Sequence, residues 1–299
     1  MHQMSKVKSF SVGDGDMFYI KYGSDNFTTI DCCLSDDNKK DIVDELKDES
    51  SGKNITRFIS THPDEDHIQK LDYLDDNMPI NNFYCVKNAA TKDEETDGFK
   101  RYKTLRDGDK AYYASKGCSR KWMNQSSEER GSAGINFQWP KTSNSDFNDA
   151  LKDSKDGKSP NNISPIFTYT LKNGAQFIWM GDLENSFMEK IINEITLPSV
   201  NILFAPPHGR KSGKVPKKWL DQMNPDIVIM GEAPSKSLDY AAYDDYNKIT
   251  QNSAGDIIFD CLINKVNIYV SSDSYSVDFL DDENLSGKYD CNYLGTLNL

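Results

Sequence analysis

The chain has 299 residues, of which 37% are hydrophobic and 11% aromatic, and its formal net charge is −12. It is long enough for one large or two modest domains with a hydrophobic core, and its composition excludes a disordered chain. The acidic surface also excludes non-specific nucleic-acid binding by the whole molecule. Any nucleic-acid site must therefore be a local basic patch or a metal centre.

The cysteines and the apolar segments indicate the cellular compartment of the protein. The six cysteines form no CxxC pair and have no regular spacing, so we expect reduced thiols rather than a thiolate zinc site or a disulfide framework. Residues 1–6 contain no apolar signal core, and no apolar run approaches the length of a membrane span. We therefore expect a cytoplasmic protein with no membrane contact.

In the first part of the chain, strand-like and helix-like patterns follow one another. The predicted elements are two strands around a turn within 7–20, a strand over 27–33, a helix over 39–47, a buried strand over 55–59, a helix that begins at or just beyond His67, and a strand over 81–86.

The strand over 55–59 leads into His62-Pro63-Asp64-Glu65-Asp66-His67, which contains two imidazoles and three carboxylates. Without a cation the carboxylates repel one another, whereas a divalent metal turns this repulsion into binding energy. Imidazole and carboxylate together suit zinc, manganese or iron. The hexapeptide therefore predicts a metal site, with a solvated acidic turn as the alternative.

Residues 87–159 differ from their surroundings, because they are rich in Lys, Asp, Ser, Asn and Gly with scattered aromatic residues. We expect a polar insertion on a single core domain, which packs over one rim of the site as a lid or as a docking surface for a protein partner. Basic and aromatic residues interleave at 100–103 and 119–122. This pattern suits a nucleic-acid clasp or an amphipathic surface, and we favour the surface.

Regular patterns return after residue 160. The predicted elements are a hairpin with strands over 166–171 and 175–180, a helix over 187–195, strands over 200–205 and 225–230, a helix over 240–250, and a closing hairpin over 256–270. Asp182 follows the strand over 175–180, and His208 follows the strand over 200–205. Together with the loop after residue 59, three strands thus end in loops that carry possible ligands.

These motifs resemble a known family. The motif at 62–67 is similar to the HxHxDH metal motif of the metallo-β-lactamase superfamily, with Asp64 where the family usually has its second histidine. Further segments resemble, in matching order, the metallo-β-lactamase-like domain of ComEC-type DNA-uptake proteins. They are Val12-Gly13-Asp14-Gly15-Asp16 (VGQGD), Thr29-Ile30-Asp31 (the first-motif Asp), Asn161-Asn162-Ile163-Ser164 (NNxS), Gly181-Asp182-Leu183-Glu184 (GDLE) and Pro207-His208-Gly209-Arg210-Lys211-Ser212 (PHHGSKxS). The resemblance covers roughly residues 7–90 and 160–270.

The resemblance implies an α/β fold, the αββα sandwich of metallo-β-lactamases, and a hydrolase with two divalent metal ions, Mn²⁺ or Zn²⁺. Two such ions would activate a shared hydroxide. Carried over by position, the ligands are His62 and Asp64 on one metal, Asp66 and His67 on the other, Asp182 between them, and His208 on the second metal or facing the substrate. The oxygen-rich set favours manganese, although zinc is compatible.

The chain also departs from the family pattern. Its only histidines are His2, His62, His67 and His208, so the last motif, at 240–245, has no histidine. This departure supports an alternative, a degenerate and weakly metal-binding member that acts as a protein-interaction or regulatory subunit. Asp14, Asp16 and Asp31 are predicted to be structural carboxylates that accept backbone N–H bonds below the site.

The function that the sequence predicts is a metal-dependent phosphodiesterase or nuclease, with Asp66 and His208 as catalytic residues. Basic residues after His208 would supply countercharge for phosphate groups. The predicted substrate-binding residues are Asn162, Ser164, Arg210, Lys211, Lys214 and Lys217. Capping of a loop is the alternative role of Asn162 and Ser164. Hydrolysis of a small ester, a lactone or a cyclic nucleotide is a third possibility, because the resemblance implies a superfamily that performs all of these reactions on one fold.

Overall fold

The computed structural model of the chain describes residues 4–299. Its elements up to residue 159 are β1 (Ser5–Ser9), β2 (Phe18–Lys21), β3 (Asn26–Ile30), β4 (Cys32–Cys33), α1 (Lys39–Ser50), β5 (Ile55–Ile59), α2 (Glu65–Ile68), α3 (Leu71–Asn77), β6 (Phe83–Cys85), α4 (Asp97–Asp107), β7 (Ala111–Tyr113), β8 (Ile135–Trp139) and α5 (Ser145–Lys155). The elements that follow are β9 (Ile166–Thr170), β10 (Gln176–Trp179), α6 (Asn185–Lys190), β11 (Ile202–Phe204), α7 (Lys217–Met223), β12 (Ile227–Met230), β13 (Asn247–Thr250), α8 (Gln251–Ala254), β14 (Ile257–Leu262), β15 (Lys265–Val270) and β16 (Asn292–Asn298).

Two sheets face each other across the main core. The first has nine strands in the order β16-β15-β14-β1-β2-β3-β5-β6-β7, and the second has six in the order β13-β12-β11-β10-β9-β8. Ile20, Phe177, Trp179, Phe204 and Phe259 are among the buried residues between them. Helices α1, α3 and α4 cover the outer face of the first sheet, and α5, α6 and α7 cover that of the second. The predicted αββα sandwich is therefore confirmed.

Strand β10 shows how the sequence forms this arrangement. Phe177 and Trp179 point into the core between the sheets, whereas Ile178 and Met180 point into the layer of helices on the other side. Successive side chains of a strand face opposite sides, so a strand covered on both faces must be apolar throughout. Burial of each such side chain contributes roughly 1.5–3 kcal/mol. The continuous apolar run is the reason that this segment forms a central strand.

Residues 87–159 are integrated into both sheets. Strand β7 forms the outer edge of the first sheet, and β8 forms the edge of the second. Trp139 and Phe147 are buried under the second sheet, and Phe99 is buried under the first. The limits at 87 and 159, which came from composition, therefore do not separate an insertion from the core.

Three other segments differ from their predictions. The helix predicted over 240–250 is wrong, because a 3₁₀ turn at Tyr240–Tyr243 is followed by β13, which pairs in parallel with β12. Strand β16 was not predicted, and it is held by pairing with β15. Helix α2 begins at Glu65, before His67, because the Asp64 side chain caps its first turn.

All six cysteines are unpaired. Among residues 4–299, no helix combines the length and the apolar character needed to cross a membrane.

Candidate metal centre

Loops that follow β5, β10 and β11 converge at one edge of the sandwich. They carry His62 to His67, Asp182 and His208 respectively. His67 Nε2 lies 3.2 Å from Asp182 Oδ1, and His208 Nε2 lies 3.7 Å from Asp182 Oδ2. The predicted convergence of the three loops is therefore present in the structure.

Gly181 allows these loops to approach so closely. Its φ is +50°, and a Cβ atom there would lie 2.6 Å from Ser164 Oγ and 2.9 Å from Thr61 Cβ. Any side chain would thus push the Asp182 loop away from the loop that carries His62, and the backbone conformation is one that favours glycine. The Gly-Asp pair is therefore a steric requirement of the site.

Four donors form a compact cage, namely Asp66, His67, Asp182 and His208. Asp66 Oδ2 lies 3.5 Å from His208 Nε2, and Asp66 Oδ1 lies 4.0 Å from His67 Nε2. With the two distances to Asp182, the separations range from 3.2 to 4.0 Å. A four-coordinate ion with ligands about 2.1 Å away separates neighbouring donors by about 3.4 Å. The separations of neighbouring donors are therefore close to those around a divalent metal ion, and each carboxylate uses a different oxygen for each of its two contacts.

Each imidazole is oriented by a polar neighbour at Nδ1. His67 Nδ1 lies 2.9 Å from Asp31 Oδ2, and His208 Nδ1 lies 3.1 Å from Asp16 Oδ1. His62 Nδ1 lies 3.1 Å from the hydroxyl of Thr61, which itself donates to Asp31. These contacts assign the proton to Nδ1 and leave the lone pair of Nε2 available for a metal, as is usual for metal-binding histidines.

Four buried polar atoms of the site have no hydrogen-bond partner. They are Nε2 of His62, His67 and His208, and Oδ1 of Asp182. Each buried polar atom without a partner costs about 1–3 kcal/mol. A cation that binds to these atoms removes this cost, so the residues present fit a divalent metal ion.

The electrostatics of the site agree with this conclusion. Burial acts to lower the pKa of His208, but Asp16 and Asp182 outweigh burial and raise it to about 10. Burial likewise acts to lower the pKa of His67, but Asp182 and Asp31 raise it well above its ordinary value. Burial and the charge of His67 lower the pKa of His62 to about 4. The carboxylates therefore create a field that favours positive charge at the centre of the site.

The two carboxylates of the cage are ionised. Burial acts to raise the pKa of Asp66, but His208 and His67 lower it to about 2. The pKa of Asp182 is also held far below its usual range, because His67 and His208 outweigh burial. Both side chains can therefore serve as anionic ligands at neutral pH.

Comparisons with known proteins bear on the fold. The chain is similar to Igni18, a metallo hydrolase from the hyperthermophilic archaeon Ignicoccus hospitalis KIN4/I, with a TM-score of 0.52 and 15% identity over 85% of this chain and 99% of that one. CmlA, a diiron beta-hydroxylase from Streptomyces venezuelae, has a TM-score of 0.45 and 12% identity, over 80% of this chain and 48% of that one. A Thermotoga maritima protein, assigned to the Zn-dependent hydrolases of the metallo-beta-lactamase superfamily, has a TM-score of 0.32 and 13% identity, over 78% and 79%.

No model of a protein family matches the sequence, and no curated protein matches it. The likeness to Igni18 extends over nearly all of that chain and, with the two packed sheets, shows the fold. The chain has the metallo-β-lactamase fold.

Asp64, which the sequence resemblance places at the second histidine of the metal motif, lies outside the cage. Its carboxylate caps α2 by accepting the Glu65 N–H at 3.1 Å, and it forms an ion pair with Lys92 at 2.9 Å. The groups of side chains close enough to share a metal are Asp16, His67, Asp182 and His208, and His62, Asp66 and His67. Asp64 belongs to neither group, whereas Asp16, predicted to be structural, belongs to the first.

Asn162 and Ser164 support the loops of the site. Both ends of the Asn162 amide contact Glu184, with Nδ2 donating to its carboxylate at 2.8 Å and Oδ1 accepting its N–H at 3.1 Å. Ser164 Oγ accepts the Asp182 N–H at 3.3 Å and lies 3.3 Å from His62 Nδ1. Asn162 thus caps a loop, and Ser164 connects two of the predicted ligands.

The basic residues after His208 lie mainly at the surface. Arg210 contacts the Asp14 carboxylate, and Lys217 pairs with Asp221 at 2.8 Å. Lys211 and Lys214 are exposed, and no ion pair is formed by either within residues 4–299. These two lysines are therefore the residues of the segment best able to meet an anionic ligand.

A pocket beside the metal-motif loop was missed by the sequence analysis. Lys92 and Lys158 line a pocket of about 250 Å³ whose wall also includes Pro63 and Asp64 of the metal-motif loop. The pocket joins residues 63–64, 90–93 and 157–160, which are far apart in the chain. No local sequence pattern could have indicated it.

Proposed function

We propose that the chain is a divalent-metal-dependent hydrolase that cleaves phosphodiesters, with nucleic acid as the substrate class. The observation that carries the proposal is the convergence of three buried imidazole Nε2 atoms and Asp182 Oδ1, none of which has a hydrogen-bond partner. Such a set of nitrogen and oxygen donors suits Zn²⁺ or Mn²⁺. Asp16, His67, Asp182 and His208 lie close enough to hold one ion, and His62, Asp66 and His67 form a second such set that shares His67.

The chemistry follows from the surroundings of the ion. When bound, a divalent ion supplies Lewis acidity, which lowers the pKa of a water molecule and stabilises negative charge on a phosphoryl oxygen. Asp31 and Asp16 fix the rings of His67 and His208 through their Nδ1 atoms. Ionised Asp66 lies beside His208 and would orient the attacking water by accepting its hydrogen bond.

The choice of phosphodiesters rests on charge around the site and on the sequence resemblance. Lys211 and Lys214 are exposed after His208, and neither forms an ion pair within residues 4–299. In a chain with a net charge of −12, these lysines are local sites for anionic groups. The resemblance of five segments to ComEC-type DNA-uptake proteins favours the same substrate class.

Metal analysis and an activity screen test the proposal. The purified protein would be stripped with a chelator, reloaded with Mn²⁺ or Zn²⁺, and assayed on bis-p-nitrophenyl phosphate, single-stranded and double-stranded DNA, and RNA. We expect activity only in the reloaded protein. In Asp182→Asn we expect loss of metal and an activity at least about 100-fold lower, because the shape is kept and the charge is lost. Phosphodiesterase activity that survives the chelator or this substitution would contradict the proposal.

The degenerate, regulatory protein remains the second candidate, because Asp64 is held by Lys92 outside the cage. The same measurements separate the two candidates. A stripped and reloaded protein that retains no metal and cleaves none of these substrates would favour the second.

A further inference from the structure

Residues 11–16 form a loop that carries Asp16 to the metal centre. The Asp16 carboxylate lies 3.1 Å from His208 Nδ1, and the Asp16 N–H donates to the Asp66 carbonyl at 3.1 Å. A Cβ atom at Gly15 would lie 2.6 Å from the same carbonyl oxygen, so the loop is packed closely against the metal-motif loop. The position of residues 11–16 therefore sets the position of the carboxylate that orients His208.

Glu232 holds this loop from the second sheet. It lies just after β12, which runs parallel to β11 and β10, so it belongs to a fourth loop at the same edge of the sandwich. Glu232 Oε2 accepts the N–H of Gly13 at 2.6 Å, and Glu232 Oε1 accepts the hydroxyl of Ser11 at 2.7 Å. Hydrogen bonds to an ionised carboxylate are roughly twice as strong as neutral ones. Both oxygens of Glu232 therefore fasten the loop that carries Asp16.

The backbone on either side of Glu232 is itself fixed. Asn252 of α8 donates to the Ala233 carbonyl at 2.8 Å and accepts the Ala233 N–H at 3.2 Å. On the other side, a Cβ atom at Gly231 would lie 3.2 Å from the Cα atom of His208. Glu232 thus extends from a segment that contacts both α8 and the histidine, and such support is what holds a site in its working geometry.

A metal ligand and a solvated surface acid are the other roles open to Glu232. It belongs to neither set of donors close enough to share an ion, so it is not a ligand. A solvated acid would not need hydrogen bonds from residues 11 and 13 to both of its oxygens. The ion pair of Arg210 and Asp14 also reaches the loop, but it lies near the surface, where solvent weakens it. Glu232 is therefore the stronger of these two contacts to the loop.

We propose that Glu232 is a positioning residue of the metal centre. By fastening residues 11–16 it holds Asp16 against Nδ1 of His208, and it thereby keeps Nε2 of His208 directed at the ion. The inference rests on the metal site of the proposed function and deepens it, but it does not depend on the substrate. No sequence motif indicated Glu232, because its contacts are with residues more than 200 positions away.

Nuclear magnetic resonance of protein labelled with ¹⁵N at its histidines tests the geometry before any metal is added. The chain has four histidines, so few signals are expected. In the wild type we expect Asp31 and Asp16 to protect the Nδ1–H protons of His67 and His208 from exchange with water. In Glu232→Ala the His208 signal should be lost to exchange. The His67 signal should persist, because its partner does not depend on Glu232, and it is an internal control in the same spectrum.

Two conservative variants separate the reach of the side chain from its charge. Glu232→Gln keeps the length, and its amide can still accept the Gly13 N–H and donate to the Ser11 hydroxyl, so we expect the wild-type His208 signal. Glu232→Asp keeps the charge but is shorter by one CH₂ group, so we expect the behaviour of Glu232→Ala. Because Glu232 is only half-buried, each variant should fold, which circular dichroism would verify.

Metal affinity is the second measurement. The stripped proteins would be titrated with Zn²⁺ in a calorimeter, and we expect binding about 10-fold weaker in Glu232→Ala and Glu232→Asp but unchanged in Glu232→Gln. Asp25→Ala is the matched control, because Asp25 also accepts a backbone N–H, that of Asn54 at 2.8 Å. These residues precede β3 and β5, at the end of the sheet opposite to the metal-motif loop. This variant should be less stable but should bind Zn²⁺ as the wild type does.

The possible failures can be distinguished. A protected His208 signal in folded Glu232→Ala or Glu232→Asp would overturn the inference and leave the proposed function intact. Loss of the signal in Glu232→Gln would also overturn it, because the charge of Glu232 and not its hydrogen bonds would then be responsible. If no protein binds Zn²⁺ or Mn²⁺, the wild type included, the proposed function fails, whereas the His208 signal still decides whether Glu232 holds Asp16 in place.

Discussion

Single residues below the site decide how its histidines present their lone pairs. Asp31 accepts the backbone N–H of Thr61 at 2.7 Å, its hydroxyl at 2.7 Å and His67 Nδ1 at 2.9 Å. Its φ is +55°, a left-handed conformation that aspartate and asparagine tolerate better than most residues. The position therefore combines a backbone requirement with the orientation of a predicted ligand.

We predict that Asp31→Asn weakens metal binding by about 10–100-fold, the usual effect of losing a carboxylate behind a metal-binding histidine. Asparagine keeps the left-handed backbone and can still accept the Thr61 N–H, so the fold should persist. Titration with Mn²⁺ or Zn²⁺ followed by calorimetry measures the change. Metal affinity equal to that of the wild type would show that Asp31 does not orient His67.

At the scale of the elements, a buried lysine connects three parts of the fold. Lys8 in β1 pairs with Glu45 of α1 at 2.8 Å and with Asp256, just before β14, at 2.8 Å. Its ammonium group also lies 4.4 Å from the centre of the Phe10 ring. The lysine therefore holds a helix and two strands together on the outer face of the first sheet.

We predict that Lys8→Met lowers the free energy of unfolding by about 1–3 kcal/mol, because the substitution leaves two partly buried carboxylates without their partner. Lys40→Met is the control, because its pair with Asp44 lies at the surface, where solvent screens it, and its loss should change stability much less. Denaturant titration of the three proteins measures both effects. Equal losses in the two variants would contradict the role of Lys8.

The Lys8 effect should also depend on pH. Burial acts to lower the pKa of Lys8, but Asp256 and Glu45 outweigh it and raise the pKa above its ordinary value. A raised pKa contributes stability that is complete below the unfolded-state pKa, about 10.4, and is lost as the pH rises through the folded-state value. We therefore expect a constant difference between wild type and Lys8→Met from pH 7 to 9, and a smaller difference above about pH 10.5.

The basic segment after His208 allows a test of substrate binding. We predict that Lys211→Gln and Lys214→Gln raise KM for nucleic acid and reduce its salt dependence, with little change in kcat, because a phosphate contact acts equally in the ground and transition states. Lys217→Gln should have a smaller effect of the same kind, because Asp221 already neutralises Lys217. Steady-state kinetics at several salt concentrations would check this order. A loss confined to kcat would exclude simple phosphate contacts.

At the scale of the whole molecule, residues 87–159 connect the two sheets and reach the metal-motif loop. They supply an edge strand to each sheet, and Lys92 extends from them to Asp64. Whether part of this segment also acts as a lid or as a docking surface stays a prediction. Its contribution to the core, however, changes what its deletion is expected to do.

We predict that deletion of residues 87–159 abolishes cooperative thermal unfolding, because it removes buried Phe99, Trp139 and Phe147 and leaves two new sheet edges unpaired. Differential scanning calorimetry and near-ultraviolet circular dichroism measure the loss. A cooperative transition in the shortened chain would show that the segment is dispensable for folding.

The sequence by itself determined the fold class and the three loops that carry the site. These features depend on local patterns, because each of three apolar strands is followed within a few residues by His62 to His67, by Asp182 or by His208. A polar residue just after a strand lies at the edge of the sheet, whichever strands are its neighbours. The helix predicted over 240–250 failed, because pairing with β12 selects the conformation of this segment.

Only the tertiary structure decided which donors meet. Asp64 and Lys92 are 28 residues apart, and their contact withdraws an expected ligand from the cage. Asp16 and His208 are 192 residues apart, and their contact orients the histidine ring. The sequence pattern indicated His208 as a ligand but did not indicate that Asp16 orients it. Edge strands β7, β8 and β16 likewise depend on pairing with distant segments. Contacts of this kind follow from the packing of the two sheets, since side chains far apart in sequence become neighbours only when the chain has folded.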